Sequence, residues 1–170
     1  EDAARAVTRA AEAGAAGGSI EDYDRGGRIY GLAQAVERVA AAAEAVKERG
    51  FMVVGRAENH LRGNPDLDDT IARLQAYEAA GADVLYAPGL RTVEEIRAVC
   101  EAVSKPVNVL ALGGLTFAEI VEGGAQRVSV GGGLTWVAAK AFADAAAAMR
   151  DEGDLSSLTA RLPLDEWLGA

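Results

Sequence analysis

The chain has 170 residues, of which half are apolar and a quarter are charged, and its formal net charge at pH 7 is −9. This length suits one globular domain with a sizeable core. The acidic balance argues against binding to nucleic acid or to anionic membranes, because phosphate groups are bound by clustered Lys and Arg side chains. No apolar run approaches the roughly 20 residues that a membrane-spanning helix needs.

The N-terminal residues Glu1–Arg5 have neither the charge order nor the apolar stretch of a signal peptide. The single cysteine, Cys100, cannot form an internal disulfide, which fits a reducing compartment. We therefore expect a cytoplasmic protein. Cys100 lies between Arg97 and Glu101 on a helical pattern, and we predict that it is a small packing residue.

Five short apolar or β-prone runs alternate with helical patterns along the chain. The continuous apolar run at residues 51–54 indicates burial on both faces of a parallel sheet. Residues 1–150 carry this alternation, and residues 151–170 form a C-terminal extension. Gly, Pro or polar residues bound each predicted strand, and the five are Gly18–Asp22, Phe51–Arg56, Ala82–Ala87, Pro106–Ala111 and Arg127–Gly131.

Capping signals predict where several helices begin. Thr92 with Glu95, and Thr116 with Glu119, have the spacing of a capping box. The pair Asn64-Pro65 predicts an N-cap followed by proline at the first helical position. Thr135 is predicted to cap the helix that follows the last strand.

Strand–helix alternation predicts right-handed βαβ units and a parallel sheet, which is either an open doubly wound sheet or part of an eight-stranded (β/α) barrel. Two features favour the barrel. Similar Ala/Gly phrases recur where helices enter strands, and polar residues follow the strand ends, where a barrel builds its active site. Five units are too few to close a barrel of about 250 residues.

Carboxylates and an arginine follow the first two strands. Glu21 and Asp22 could hold Mg²⁺, or they could be a solvated Glu and a helix-capping Asp. Arg56 follows the most apolar strand, so we expect it to face an anionic ligand, with an internal ion pair to Glu58 as the alternative. His60 lies beyond this strand end, and we expect an exposed loop side chain without a catalytic role.

Asn108 interrupts the apolar strand at residues 107–110, and a buried amide needs partners. A substrate oxygen, a metal-bound water or a polar side chain of the next strand would serve. The sequence Gly-Gly-Leu-Thr occurs twice, at residues 113–116 and 132–135. Gly132 and Gly133 could let backbone amides bind an anion at a helix N-terminus, and tight turns explain the glycines equally well.

Taken together, several segments resemble the isocitrate lyase/phosphoenolpyruvate mutase family. The sharpest features are the I-E-D and R-A-E strand ends and the D-x-x-I-x-R-x-x-A-Y helix that follows. The resemblance runs to about residue 150 and rests on Gly17–Asp22, Gly55–Asn59, Asp68–Tyr77, Ala80–Asp83 and Lys105–Asn108.

The resemblance implies a (β/α)₈ TIM barrel of which this chain covers roughly strands four to eight. It implies a Mg²⁺-dependent (or Mn²⁺-dependent) lyase or mutase that acts on C–C or P–C bonds of a small keto acid, phosphonate or dicarboxylate through an enolate. Glu21 would lie in the metal's water shell, and Arg56, with Glu58, would act on the substrate. Asn108, Gly132 and Gly133 would complete the substrate site.

Three features differ from the family pattern. The acidic D-x-D metal motif is absent, so the principal metal ligands are expected upstream of Glu1. The loop Tyr23–Arg28 lacks the cysteine of the lyases, and Pro88 stands where members often place Glu or His at the end of the sixth strand. The match is therefore better to the phosphonomutase-like branch than to isocitrate or methylisocitrate lyases.

Two alternatives to this function stay open. The first is a phosphate-binding barrel that uses the glycine pairs, and the second is a non-catalytic barrel fragment with an assembly role. In the resembled family a C-terminal helix is often exchanged between subunits. We therefore expect a homo-oligomer, whose extension would contribute Leu158, Leu162, Leu164, Trp167 and Leu168.

Overall fold

The computed structural model describes residues 2–161 and 163–169, so Leu162 and Ala170 of the predicted extension lie outside the described residues. The chain divides into two compact units, Glu1–Val130 and Gly131–Ala170. In the described part of the chain, no helix is both long enough and apolar enough to cross a membrane.

The first unit alternates helices and parallel strands. All five predicted strands are confirmed, with ends that differ from the prediction by two residues at most. In chain order the elements are α1 (Asp2–Glu12), β1 (Gly17–Glu21), α2 (Leu32–Val46), β2 (Met52–Arg56), α3 (Leu67–Ala79), β3 (Val84–Tyr86), α4 (Val93–Ala102), β4 (Val107–Leu110), α5 (Phe117–Glu122) and β5 (Arg127–Ser129).

The strand order decides between the two predicted architectures. The sheet runs β1-β2-β3-β4-β5 with every neighbour parallel, and each helix from α1 to α5 contacts the next one. A doubly wound sheet would instead reverse its order at a switch point and place helices on both faces. The first unit is therefore an open segment of a TIM-type (β/α) barrel, as predicted.

The two faces of the sheet differ in exposure. The helix-facing side chains Val53, Leu85, Val107 and Val109 are at most 1% exposed, whereas Met52, which alternates with Val53, is 52% exposed. Side chains alternate between faces along a strand, so Met52 belongs to the face away from the helices. In a closed barrel that face is the interior, and its upper end carries the active site.

Helix starts follow the predicted capping boxes at Thr92 and Thr116, which are both present. The prediction at Asn64 is wrong. Asp66 is the N-cap of α3, because its carboxylate accepts the backbone N–H of Asp69 at 3.0 Å.

The second unit consists of α6 (Gly133–Glu152), a 3₁₀ turn (Ser156–Thr159) and α7 (Leu164–Leu168). The predicted cap at Thr135 is wrong, because α6 already begins after Gly132. This helix runs past residue 150 and ends at Gly153, whose φ of 68° closes it in the left-handed region. The domain boundary between residues 150 and 151 stays a prediction.

A buried carboxylate joins the first two strands to α3. Asp22, which directly follows β1, accepts three hydrogen bonds although it is only 2% exposed. The backbone N–H of Glu58 donates to its Oδ1 at 2.7 Å, and the Tyr77 hydroxyl and the Arg73 guanidinium donate to its Oδ2 at 2.6 and 3.1 Å. A carboxylate out of water needs such compensation. Asp22 is therefore a structural residue and not a helix cap.

The two donors on α3 are themselves held in place. Arg73 also donates to Asp69 at 2.9 Å and to the carbonyl oxygen of Tyr30 at 3.0 Å, which fixes the loop between β1 and α2. Burial, and then the hydrogen bond to Asp22, raise the pKa of Tyr77, so its hydroxyl remains a donor across the ordinary pH range. Burial alone would lower the pKa of Arg73, but its bonds to Asp69 and its other partners raise it overall.

We predict that Asp22→Asn lowers the free energy of unfolding by about 3 to 5 kcal/mol, because the buried Arg73 guanidinium loses one of its two carboxylate partners and the new amide group turns an N–H toward groups that are themselves donors. Urea denaturation of the full-length protein measures this. Asp68→Asn, the same change on the exposed surface of α3, is the control and should shift the free energy of unfolding by less than about 0.5 kcal/mol. Equal effects of the two substitutions would contradict a central role for Asp22.

Candidate active site at the carboxyl ends of the strands

One row of side chains crosses the carboxyl end of the sheet. In the strand register Glu21 pairs with Arg56, Arg56 with Tyr86, Tyr86 with Asn108, and Asn108 with Arg127. Directly paired residues of parallel strands point to the same face. This row, named here the polar row, therefore lies on the face away from the helices, where a barrel binds its substrate.

Arg56 is the centre of the polar row. Its Nη1 lies 3.2 Å from Glu21 Oε1, and its Nε donates to Glu58 Oε1. Its guanidinium carbon lies 4.9 Å from the centre of the Tyr86 ring, within cation–π range. The internal ion pair to Glu58 is thus present, and about one fifth of the Arg56 side chain remains exposed.

Glu58 is the most buried charge of the site, with a side chain that has no exposed surface. Its second oxygen, Oε2, accepts from Arg62 Nε at 2.7 Å, and the guanidinium of Arg62 lies 4.0 Å from the centre of the Tyr23 ring. The hydrogen bond to Glu58 raises the pKa of Arg62. Glu58 therefore holds two arginines, and its own position is fixed from below by the bond of its backbone N–H to Asp22.

Asn108 is 1% exposed and bonds to the neighbouring strand. Its Oδ1 accepts from Arg127 Nη1 at 2.8 Å, and its Nδ2 donates to Ser129 Oγ at 3.1 Å. Of the three partners that the sequence allowed, the structure contains the side chains of the next strand. The second Nδ2 hydrogen is left for other partners, since a side-chain amide carries two.

Glu21 is the carboxylate of the polar row that stays accessible, with about two fifths of its side chain exposed. Mg²⁺ prefers several oxygen ligands, usually carboxylates and water. Among the described residues, no group of three or more His, Cys, Asp or Glu side chains could hold a metal ion. Asp22 and Glu58 are already bonded to arginines, so the described part of the chain does not by itself fit a Mg²⁺ site.

The second glycine pair begins α6 in the second unit. Gly132 is the N-cap and Gly133 the first helical residue, and no side chain caps this helix. The φ of Gly132 is −84°, and an added Cβ would meet Trp136 at an ordinary 3.7 Å. Neither the backbone angle nor close packing requires glycine at 132, which leaves access to the backbone amides as a reason for it.

The expectation of an exposed His60 is wrong, since its side chain is only 4% exposed. Its Nδ1 lies 3.1 Å from the hydroxyl of Thr70, and its Nε2 lies 3.8 Å from Glu95. The loop after β3 packs against it: Gly89, at a φ of 110°, comes so close that an added Cβ would lie 3.2 Å from His60.

The prediction that Cys100 is a packing residue is confirmed. Its side chain is half-buried against the core, and burial raises the pKa of its thiol.

Sequence reasoning missed three residues of this region. The sequence pattern places Tyr86 inside a predicted strand and Arg127 at the start of another. It places Arg62 in the polar stretch after His60. The spacing of four residues between Glu58 and Arg62 indicates that the two side chains can meet. Tyr86 and Arg127 are placed beside Arg56 and Asn108 by the strand register, and the sequence does not reveal that register.

Comparison with known proteins shows which family this chain resembles. The model of the phosphoenolpyruvate phosphomutase family matches residues 1–150. An oxaloacetate decarboxylase of Paraburkholderia xenovorans (strain LB400) is 34% identical over 111 residues, which are 61% of this chain and 36% of that protein. The chain thus spans little more than a third of that curated relative.

Solved structures share the fold. A candidate lyase or mutase of Burkholderia cenocepacia J2315 is 47% identical with a TM-score of 0.91, and the match covers 98% of this chain and 64% of that one. A phosphonopyruvate hydrolase in complex with oxalate and Mg²⁺ is 26% identical with a TM-score of 0.77, over 98% of this chain and 63% of that one. The family match over most of the chain agrees with the I-E-D and R-A-E strand ends, and the chain therefore belongs to the phosphoenolpyruvate phosphomutase family.

Proposed function

We propose that the complete protein is a lyase or mutase that acts on a C–C or P–C bond of a small keto acid, phosphonate or dicarboxylate through an enolate intermediate. The observation that carries the proposal is the partly exposed guanidinium of Arg56 at the carboxyl end of β2, on the face away from the helices. Its fork matches a carboxylate or a phosphonate. The oxaloacetate decarboxylase and phosphonopyruvate hydrolase among its relatives supply the substrate class.

Arg56 would act on the charge that develops during bond cleavage. When the bond between the carbon next to the keto group and the departing group breaks, its electron pair forms the carbon–carbon double bond of an enolate, and the negative charge lies on the former carbonyl oxygen. A carboxylate departs as CO₂, a phosphonate phosphorus passes to water, and a proton from solvent then converts the enolate to pyruvate. A guanidinium fixed before the reaction stabilises that charge without having to reorganise. Glu58 and the Tyr86 ring hold Arg56 in place, so the predicted catalytic role of Glu58 is in this proposal the positioning of Arg56.

A substrate-binding role is proposed for Asn108 in the first unit and, separately, for Gly132 and Gly133 in the second unit. The free amide hydrogen of Asn108 can donate to a substrate oxygen, since its other groups are bonded to Arg127 and Ser129. The backbone amides of Gly132 and Gly133 open α6, and the N-terminus of a helix favours an anionic group.

We also propose a divalent cation, Mg²⁺ or Mn²⁺, as the cofactor of the complete protein. Such an ion polarises the oxygens of a keto acid. Glu21 would contribute one carboxylate near the ion's water shell, and its main ligands would come from residues other than those described. The family relative solved with Mg²⁺ and oxalate supports the choice of metal.

A homo-oligomer is the proposed state of the complete protein. In the second unit Leu134, Trp136, Val137 and Phe142 are each about two thirds or more exposed. Exposed apolar patches of this kind mark interaction surfaces in soluble proteins. Sedimentation equilibrium distinguishes the oligomer from a monomer.

Arg56→Ala in the full-length protein should weaken oxalate binding in the presence of Mg²⁺ by roughly a hundredfold and abolish pyruvate formation from oxaloacetate or phosphonopyruvate. Arg56→Lys should recover only a small part, because an ammonium cannot form the two parallel hydrogen bonds. Calorimetry and a coupled pyruvate assay measure both effects. Arg97→Gln, on the outer surface of α4, is the control, and unchanged oxalate binding by Arg56→Ala would refute the proposal.

Gly132→Ala should leave the free energy of unfolding within about 1 kcal/mol of the wild type, because the new Cβ meets only an ordinary contact. If the α6 amides bind the substrate, oxalate affinity should fall about two- to fivefold, because the added methyl group weakens the approach of the anion to amides that the substitution leaves in place. Calorimetry measures the affinity. Metal-independent binding of inorganic phosphate that disappears in Gly132→Ala would instead support the phosphate-binding barrel.

A further inference from the structure

Four charged side chains form a continuous chain across the mouth of the first unit. Glu21 contacts Arg56, Arg56 contacts Glu58, and Glu58 contacts Arg62. The two carboxylates and the two guanidiniums sum to zero formal charge. The family motif accounts for Glu21, Arg56 and Glu58, but it assigns nothing to Arg62.

If Arg56 were the sole cation bonded to Glu58, the negative charge of Glu58 would disfavour the binding of an anionic substrate beside Arg56. Its carboxylate is fully buried, so its charge must be balanced by neighbouring cations and not by water. Arg62 Nε donates to Oε2 of Glu58 at 2.7 Å, and Arg56 donates to Oε1. Each arginine thus offsets part of one anion.

Removal of Arg62 would change what an anionic substrate meets. Arg56 would then stand between two carboxylates, Glu21 and Glu58, and this group of three would carry a net charge of −1. A substrate carboxylate would have to compete with both for the same guanidinium, in surroundings of reduced dielectric constant where each charge counts more than in water.

We propose that Arg62 is a positioning residue that sets the charge at Arg56 and so decides the affinity of the site for small anions, an inference that rests on the proposed function. Arg62 acts through Glu58 and need not touch the substrate. The same residue joins the site to the loop after β1, since its guanidinium lies over the ring of Tyr23. Tyr23 in turn closes that loop through a bridge to Ile29.

The exposure of Arg62 makes the proposal testable. About two fifths of its side chain is accessible to water, unlike the fully buried Glu58, so its replacement removes a charge without opening the core. Arg73, by contrast, is buried on Asp22, and its loss would act on folding before it acted on the site.

The test compares Arg62→Lys, Arg62→Gln and Arg62→Glu in the full-length protein, which changes the charge at this position and leaves Glu58 in place. Calorimetry with oxalate in the presence of Mg²⁺ should show roughly tenfold weaker binding for Arg62→Gln. Arg62→Lys should keep most of the affinity, because the charge is retained. Arg62→Glu adds a negative charge beside Glu58, so it should bind oxalate more weakly than Arg62→Gln does.

Arg97→Gln is the matched control, since it removes an arginine from an exposed pair with Glu122. It should bind oxalate like the wild type. Thermal denaturation of every variant separates a charge effect from unfolding, and a purely structural role for Arg62 would weaken binding to the same extent in all three variants.

The outcomes separate this inference from the proposed function. A wild-type protein that binds no oxalate would overturn the proposed function and this inference with it. Wild-type binding that Arg62→Gln leaves unchanged would overturn the role of Arg62 alone. Equal oxalate affinities of Arg62→Lys, Arg62→Gln and Arg62→Glu would do the same, because they would show that the charge at this position does not control binding.

Discussion

The carboxylate of Asp22 is the constraint on which the candidate site depends. It is buried between two strand ends and α3, where an uncompensated charge would cost several kcal/mol. Three donors from two parts of the chain compensate it, two of them on α3 and the third the backbone N–H of Glu58. That bond fixes the residue whose side chain then holds Arg56 and Arg62. The position of the substrate-facing guanidinium thus follows from a hydrogen bond made at the edge of the core.

This arrangement divides the family motifs into two kinds of residue. In the I-E-D strand end, Glu21 points to the polar row and Asp22 to the core, because consecutive residues of an extended chain face opposite sides. In the helix motif, Arg73 and Tyr77 bond to Asp22 and lie away from the polar row. Much of what made the sequence recognisable is therefore the support of the site and not its chemistry. A relative could keep this support while its substrate changes.

The sequence predicted the features that depend on neighbouring residues. Apolar runs and cap spacing are local signals, so they predict the strands and the capping boxes. The ion pair between Arg56 and Glu58 is predictable because the two residues are two positions apart. The sequence does not indicate the burial of His60, because Gly89, which packs closely against it, comes almost thirty residues later in the chain. Likewise, the partners of Asn108 were left open, since only the register with β5 brings Arg127 and Ser129 beside it. The barrel-type strand order also needed the structure, because an open sheet has the same alternation.

The net negative charge of the chain is compatible with the proposed binding of a small anion, because a small ligand meets only the charges close to it. At physiological ionic strength a surface charge is screened beyond about 8 Å, so the net charge of −9 governs large, extended partners such as nucleic acid. A small keto acid at the strand ends would instead meet the charges within a few ångströms of it. There Glu21 and Glu58 are matched by Arg56 and Arg62, and Arg127 adds a further positive charge along the polar row. Under the proposed function, the local balance of arginines over carboxylates, and not the total charge, would therefore determine which anions this site accepts.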